Sequence, residues 1–248
     1  MLLSLLAALA VGAAPDDGEA LLRRINEAHR DTWFTTLTFV QHTTFPGTGR
    51  PDETWYETMD RPGKLRLDIE REGRMVGRVI FRADSIYQFA EGRPPVARPL
   101  VHSLLLLLHD IHVGSADDVI AKLKAQGFDL STTGTATWEG APVVVVGAVT
   151  GDTIARQFWV DPERLVVVRV MQPGQGGVMS DIQVGGFTSE GPALVERKVV
   201  FLTGGTATTV EEYRWLTTGV KLPDSVFDPG NAALPAWVAA YRTPHGAP

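Results

Sequence analysis

Three histidines lie close together near the middle of the chain, and histidine is both a common metal ligand and an acid–base group. His102, His109 and His112 are accompanied by Asp110. On a helix, His109 and His112 would share a face, whereas His102 would lie about 10 Å further along the axis. A stable metal site needs three or four ligands with supporting hydrogen bonds. Because leucines fill residues 104–108, we interpret the histidines as polar groups of a buried helix and predict no metal site.

The remaining residues that could do chemistry form no recognisable catalytic motif. The sequence contains neither a Gly-x-Ser-x-Gly nucleophile elbow nor a phosphate-binding loop. Residues 174–177 are rich in glycine but lie between two strand patterns, which is typical of a hairpin loop. The paired carboxylates Asp117–Asp118 and Glu211–Glu212 fit a helix start and alternate faces of a strand. We therefore predict no catalytic residue and no cofactor. A hydrolase acting through the histidines is an alternative hypothesis.

Composition indicates a folded protein without a nucleic-acid partner. The chain has 248 residues, of which 44% are hydrophobic and 21% charged, and its net charge is -6. Charges of both signs are interspersed, so a positive face for nucleic acid or an acidic membrane is not expected. The absence of cysteine excludes disulfides, thiolate zinc sites and cysteine nucleophiles. It also leads us to expect no attached acyl anchor.

The first residues have the composition of a cleavable export signal. Residues 1–14 combine an apolar core with the small residues Gly12, Ala13 and Ala14. No Lys or Arg precedes that core, and a buried N-terminal helix is the alternative interpretation. The apolar stretch is far shorter than the ~20 residues of a transmembrane helix. We expect export and a single mature domain at residues 15–248.

Most of that domain has the alternating pattern of half-buried strands. Residues 64–70 are the clearest case, with Leu65, Leu67 and Ile69 on one face and charged residues on the other. Short turns between the strands predict antiparallel pairing. Helices are predicted at residues 16–30 and within an insert at about residues 97–127, where Ser115 starts a helix. The fold class is therefore mainly β (α+β), an unclosed antiparallel β-barrel of about 10–12 strands with helices covering its concave face.

The concave face of such a sheet is difficult to fill with its own side chains, so it is the predicted ligand site. Plain core packing of the same aromatic and aliphatic residues is the alternative. The predicted hydrophobic lining consists of Leu37, Phe39, Trp55, Leu65, Leu67, Ile69, Val79 and Phe81.

Four segments resemble the LolA-like periplasmic lipoprotein carriers. Arg-Pro-Gly-Lys-Leu-Arg-Leu at residues 61–67 is similar to their Pro-Gly-x-Leu-Arg strand. Phe-Trp-Val-Asp-Pro-Glu at 158–163, followed by Val-Val-Val-Arg at 166–169, resembles their Trp-Val-Asp…Arg hairpin. Leu-Pro-Asp-Ser-Val-Phe at 222–227 resembles their closing segment, and Phe39-x-Gln41 also fits. The resemblance covers about residues 20–229, and the insert resembles an outer-membrane lipoprotein-sorting branch of the superfamily.

The resemblance implies a half-barrel that binds acyl chains without covalent chemistry. Expected partners are a lipid or an acylated lipoprotein and a protein of the inner or outer membrane. The expected location is the periplasm, in soluble form, with a role in lipoprotein sorting or lipid transport to the outer membrane. The alternative hypothesis is an envelope protein-binding or sensor module with a filled core.

Overall fold

The computed structural model describes residues 17–242, so the predicted signal at residues 1–14 lies outside the described part. Within that part, fifteen strands and three α-helices alternate with short helical turns. The helices are α1 (Gly18–His29), α2 (Ala116–Ala125) and α3 (Ala236–Arg242). The strands are β1 (Thr36–Thr44), β2 (Glu53–Asp60), β3 (Lys64–Arg71), β4 (Arg74–Arg82), β5 (Ser85–Ala90), β6 (Val96–Pro99), β7 (Thr133–Trp138), β8 (Ala141–Val146), β9 (Gln157–Asp161), β10 (Val166–Pro173), β11 (Met179–Gly185), β12 (Thr188–Glu190), β13 (Ala193–Val195), β14 (Lys198–Thr203) and β15 (Thr206–Thr218).

Thirteen of these strands form one antiparallel sheet that does not close. Its order is β6-β5-β4-β3-β2-β1-β15-β14-β11-β10-β9-β8-β7, while β12 and β13 form a separate pair. Strands β6 and β7 are therefore the two free edges of the sheet. This arrangement confirms the predicted unclosed antiparallel architecture, with one strand more than the upper limit of the predicted range. The chain makes two meanders that meet where β1 pairs with β15.

The additional strand lies where we expected the helical insert to begin. Residues 96–99 form β6, which pairs with β5 through Tyr87 and Ala97. Its residue Arg98 precedes Pro99, and the residue before a proline is biased towards extended backbone. The helical part of the insert therefore starts only at residue 103.

A short irregular helical segment crosses the concave face, and we call residues 103–112 the plug. It contains a π-helical stretch, Leu105–His109, followed by the 3-10 turn Asp110–His112. Two further 3-10 turns, Gln175–Gly177 and Asp224–Phe227, lie elsewhere. The side chain of Asn26 on α1 donates hydrogen bonds to the carbonyl oxygens of Ile111 and Gly114, at 2.8 and 2.9 Å. These bonds fix the end of the plug beneath α1.

The helices fill the two halves of the concave face unequally. The apolar faces of α1 and α2, represented by Leu22 and Leu123, pack with the plug on β8 to β11 in the larger core cluster. The other half, formed by β1 to β5, has a smaller cluster in which only Leu105 comes from the plug. One half of the sheet is therefore packed by helices, and the other half is covered by the plug and by Val195 of β13.

The convex face of β3 is buried as well, which the alternating pattern does not reveal. Arg66 is 0% exposed and forms a bidentate pair with Asp68, at 2.7 and 2.9 Å. Its guanidinium also donates to three carbonyl oxygens of the C-terminal segment, those of Val226, Asn231 and Ala233. Arg66 thus attaches the C-terminal segment to the back of the sheet, where helix α3 also packs.

We expect Arg66→Met to lower the free energy of unfolding by about 3–5 kcal/mol, because it leaves the buried carboxylate of Asp68 without its partner. Arg82→Met is the matched control. It removes a pair with Asp224 that also ties the sheet to the C-terminal segment but is solvent-exposed, so its effect should be slight. Urea unfolding of both variants measures the difference, and equal losses would contradict the role assigned to Arg66.

Candidate functional site

A cavity of about 350 Å³ lies between the plug and the half of the sheet that the helices leave uncovered. Strands β2 to β5, β14 and β15 form its wall, and the plug closes its other side. Most of the lining is apolar, as expected for a site that takes a hydrophobic ligand. Besides the predicted positions, the apolar lining includes Met59, Ile86, Leu104, Leu105, Leu108, Val199 and Phe201.

Five of the eight predicted lining residues border the cavity, namely Trp55, Leu65, Leu67, Val79 and Phe81. The other three lie elsewhere on the same face. Leu37 and Phe39 are fully buried in the core beside the cavity, where Phe39 stacks on Tyr213 with 4.2 Å between ring centroids. Ile69 is half-buried opposite Gly77, further along β3 and β4. The role of all eight in binding a ligand stays a prediction.

Two of the three histidines border the cavity in separate environments. His102 meets the ring of Phe81 edge-on, with centroids 4.8 Å apart, and burial lowers its pKa to about 4. His109 places Nε2 3.3 Å from Oε1 of Glu196, and burial lowers its pKa well below the ordinary value. Both imidazoles are therefore neutral at neutral pH.

The third histidine lies away from the cavity in an aromatic group. His112 stacks on Trp33 with ring centroids 4.0 Å apart, and its Nδ1 lies 3.1 Å from Nδ1 of His29. Within residues 17–242, no cluster of three or more histidine, cysteine or carboxylate side chains is arranged to hold a metal ion. The three histidines therefore make separate local contacts.

Two buried glutamates, Glu57 and Glu196, and the half-buried Glu211 form a polar group that sequence reasoning misses. Glu196, between β13 and β14, is 3% exposed and accepts a 3.5 Å hydrogen bond from the hydroxyl of Tyr213. Burial raises the pKa of Glu196 to about 7, although the charge of Arg61 opposes this shift. The carboxyl group of Glu196 therefore contacts Tyr213 and His109 and interacts with the charge of Arg61.

The other two glutamates, Glu57 and Glu211, border the cavity directly. Burial raises the pKa of Glu57 well above its ordinary value, and repulsion from Glu211 and Glu196 adds to the shift. Burial raises the pKa of Glu211 to about 8, against a lowering effect of the Gln41 amide. Both carboxyl groups therefore hold their protons more tightly than glutamates in water.

The sequence did contain a signal for these two residues. Glu57 lies between Trp55 and Met59 at a spacing of two, and Tyr213 stands two residues after Glu211. Each glutamate therefore belongs to the inward face of its strand. Glu196 lies outside a strand, and no pattern marks it.

Comparison with solved structures defines the class of fold. A LolA superfamily protein from Nitrosomonas europaea superimposes with a TM-score of 0.53 at 10% identity, covering 85% of this chain and 97% of that one. A DUF1329 family protein from Desulfovibrio piger gives a TM-score of 0.56 at 12% identity, covering 85% and 95%. The chain therefore has a LolA-like fold. No family model and no curated protein matches the sequence.

None of the helices in the described part of the chain is long and apolar enough to span a bilayer.

The raised pKa values of these glutamates predict that the free energy of unfolding decreases between about pH 6.5 and 8. Glu196 and Glu211 keep their protons in the folded state to pH values of about 7 and 8, whereas unfolded glutamate releases its proton near 4.5. The folded state therefore binds more protons in this window, and the free energy of unfolding falls as pH rises. Buried histidines act oppositely, but their contribution declines as the pH rises above their unfolded pKa of 6.5.

Glu211→Gln should flatten this fall, because glutamine has no proton to lose. Thermal unfolding midpoints across pH 6–9 measure the slope. Each kcal/mol of pH-dependent loss of stability that the substitution removes should decrease the fall in the midpoint by about 2–4 °C. Glu212→Gln is the control, since Glu212 is a surface residue paired with Arg214. A midpoint that rises from pH 6.5 to 8 in the unmodified protein would contradict the assigned pKa shifts.

Proposed function

We propose that this protein is a non-enzymatic carrier that binds an acyl chain of a lipid or lipoprotein in the cavity of the half-barrel. The observation that carries the proposal is the apolar cavity of about 350 Å³ on the concave face. Burial of an apolar ligand there contributes about 25 cal/mol per Å² before ordering costs are subtracted.

The size of the cavity supports a ligand with one chain. Small-molecule sites span about 300–1,000 Å³, and this cavity lies near the lower limit. A diacyl or triacyl group would exceed it unless the plug moved. We therefore propose a single acyl chain, or one chain of a larger lipid, as the occupant.

The proposed location is the periplasm, as an exported protein without an acyl anchor. The LolA-like fold and the sequence motifs that resemble the LolA carriers support this location together. Transport of lipoproteins or lipids towards the outer membrane, with a membrane protein as donor or acceptor, is the corresponding role.

The alternative function is a protein-binding or sensor module, and that hypothesis predicts a filled core. The helices do fill one half of the concave face, but the other half retains the cavity. The cavity favours the carrier over the module.

Filling the cavity should abolish binding while leaving the fold intact. Val79→Trp adds a large side chain to the cavity wall, and we expect it to reduce the copurifying or added lipid by about tenfold or more. Native mass spectrometry of the protein from an envelope fraction measures the bound mass. Arg74→Trp, at the exposed start of the same strand, is the matched control and should bind normally. A ligand-free mass with no uptake of added lipid would overturn the carrier proposal.

A further inference from the structure

Glu57 is a buried carboxyl group in the cavity wall without a partner. Its side chain borders the cavity, and the residue is 5% exposed. No hydrogen bond or ion pair to its carboxyl oxygens is formed by any residue between 17 and 242. An apolar cavity that served only hydrocarbon would be lined more favourably by an apolar side chain of similar size.

Further hydrogen-bond acceptors lie on the neighbouring strands of the same face. Glu57 on β2 pairs with Phe39, and Glu211 on β15 pairs with Thr43, both on β1. Their backbones are therefore two strands apart and offset by four residues, roughly 16 Å in all. Repulsion from Glu211 contributes to the raised pKa of Glu57, which indicates that the two side chains approach each other within this distance. Gln41, on β1 between them, donates its amide to Thr43 at 2.9 Å, and its side-chain oxygen has no partner. This part of the cavity wall therefore offers acceptors and lacks a cation.

The positive groups of the region are engaged elsewhere. Arg61 is the buried cation, and its charge interacts with Asp110 and Glu196. Among residues 17–242, no cation contributes to the electrostatic environment of Glu57 or Glu211. A cationic group bound in the cavity would therefore form the ion pair that no described residue forms with these two glutamates.

Building on the carrier function proposed above, we infer that the natural ligand is an amphiphile with a cationic amine at its polar end. Its hydrocarbon part would contact Leu65, Leu67 and Phe81, and its ammonium group would lie between Glu57 and Glu211. An ammonium group has three N–H donors and no acceptor, which matches a wall of carboxyl oxygens. Charge-assisted hydrogen bonds of this kind are stronger than neutral ones.

Binding of an ammonium group requires the glutamates to release their protons, so affinity for the amine should increase from pH 6 to 8.5. Burial lowers the pKa of both cavity histidines and raises that of Tyr213, so these groups stay neutral across this range. Burial lowers the pKa of Arg61 to about 10, which keeps it charged. The titratable and charged groups around the cavity are Glu57, Glu196, Glu211, His102, His109, Tyr213, Arg61 and Asp110.

Three probes with the same hydrocarbon chain test the inference: dodecylamine, dodecanol and dodecanoate, the alcohol below its solubility limit and the two ionic probes below their micellar concentrations. Isothermal titration calorimetry of the full chain at pH 8 should show the tightest binding for the amine and the weakest for the carboxylate. Glu57→Gln and Glu211→Gln should each weaken amine binding by roughly 30-fold and leave dodecanol binding unchanged. Glu212→Gln, whose side chain pairs with surface Arg214, should bind all three probes normally.

The outcomes separate this inference from the carrier proposal. Equal or tighter binding of dodecanol or dodecanoate overturns the amine specificity and leaves the carrier function standing. Failure of all three probes to bind the unmodified protein overturns the carrier function itself. If a glutamine variant fails to fold, as judged by circular dichroism, the order of the probes on the unmodified protein still decides the question.

Discussion

Covering the concave face of a thirteen-stranded sheet is the physical constraint on which the rest of this structure depends. A sheet of that width curls, and its inner face is apolar along most strands. Helices α1 and α2 suffice for the half formed by β8 to β11. The remaining half receives one short segment, the plug, together with Val195 of β13. The cavity is the volume that this segment does not fill, so it results from the architecture as a whole.

The plug can occupy this position only because its polar groups are satisfied in the apolar interior. Asp110 is 4% exposed, and its Oδ1 accepts a 3.0 Å hydrogen bond from the amide of Gly63. Burial raises the pKa of Asp110 to about 6, and the Gly63 amide and Arg61 oppose that shift. Gly63 has a φ of 77°, a left-handed conformation that favours glycine in the turn between β2 and β3. The β2–β3 turn thereby positions the plug.

Local patterns in the sequence were sufficient for the architecture and for part of the site. The alternation of Leu65 and Leu67 correctly identified the inward face of β3, and Ser115 correctly marked the start of α2, where it caps the helix. The same alternation could not reveal that Arg66 is buried, because the carbonyl oxygens that cover it lie about 160 residues later in the chain. Glu57 was overlooked for a related reason. A charged residue at an inward position is normally paired, and only the packed structure reveals that this one has no partner in the described part of the chain.

The alternation of β3 links the two faces of the sheet mechanically. Leu65 and Leu67 border the cavity, while Arg66 between them is held from behind by Asp68 and the C-terminal segment. A strand that is packed on both faces cannot shift easily, because close-packed interiors resist small displacements. The plug is different, since it is a short π-helical and 3-10 segment packed on one side against the cavity. The sheet therefore provides a wall fixed from both faces, and the plug, held by α1 and by the β2–β3 turn, forms the opposite side of the cavity.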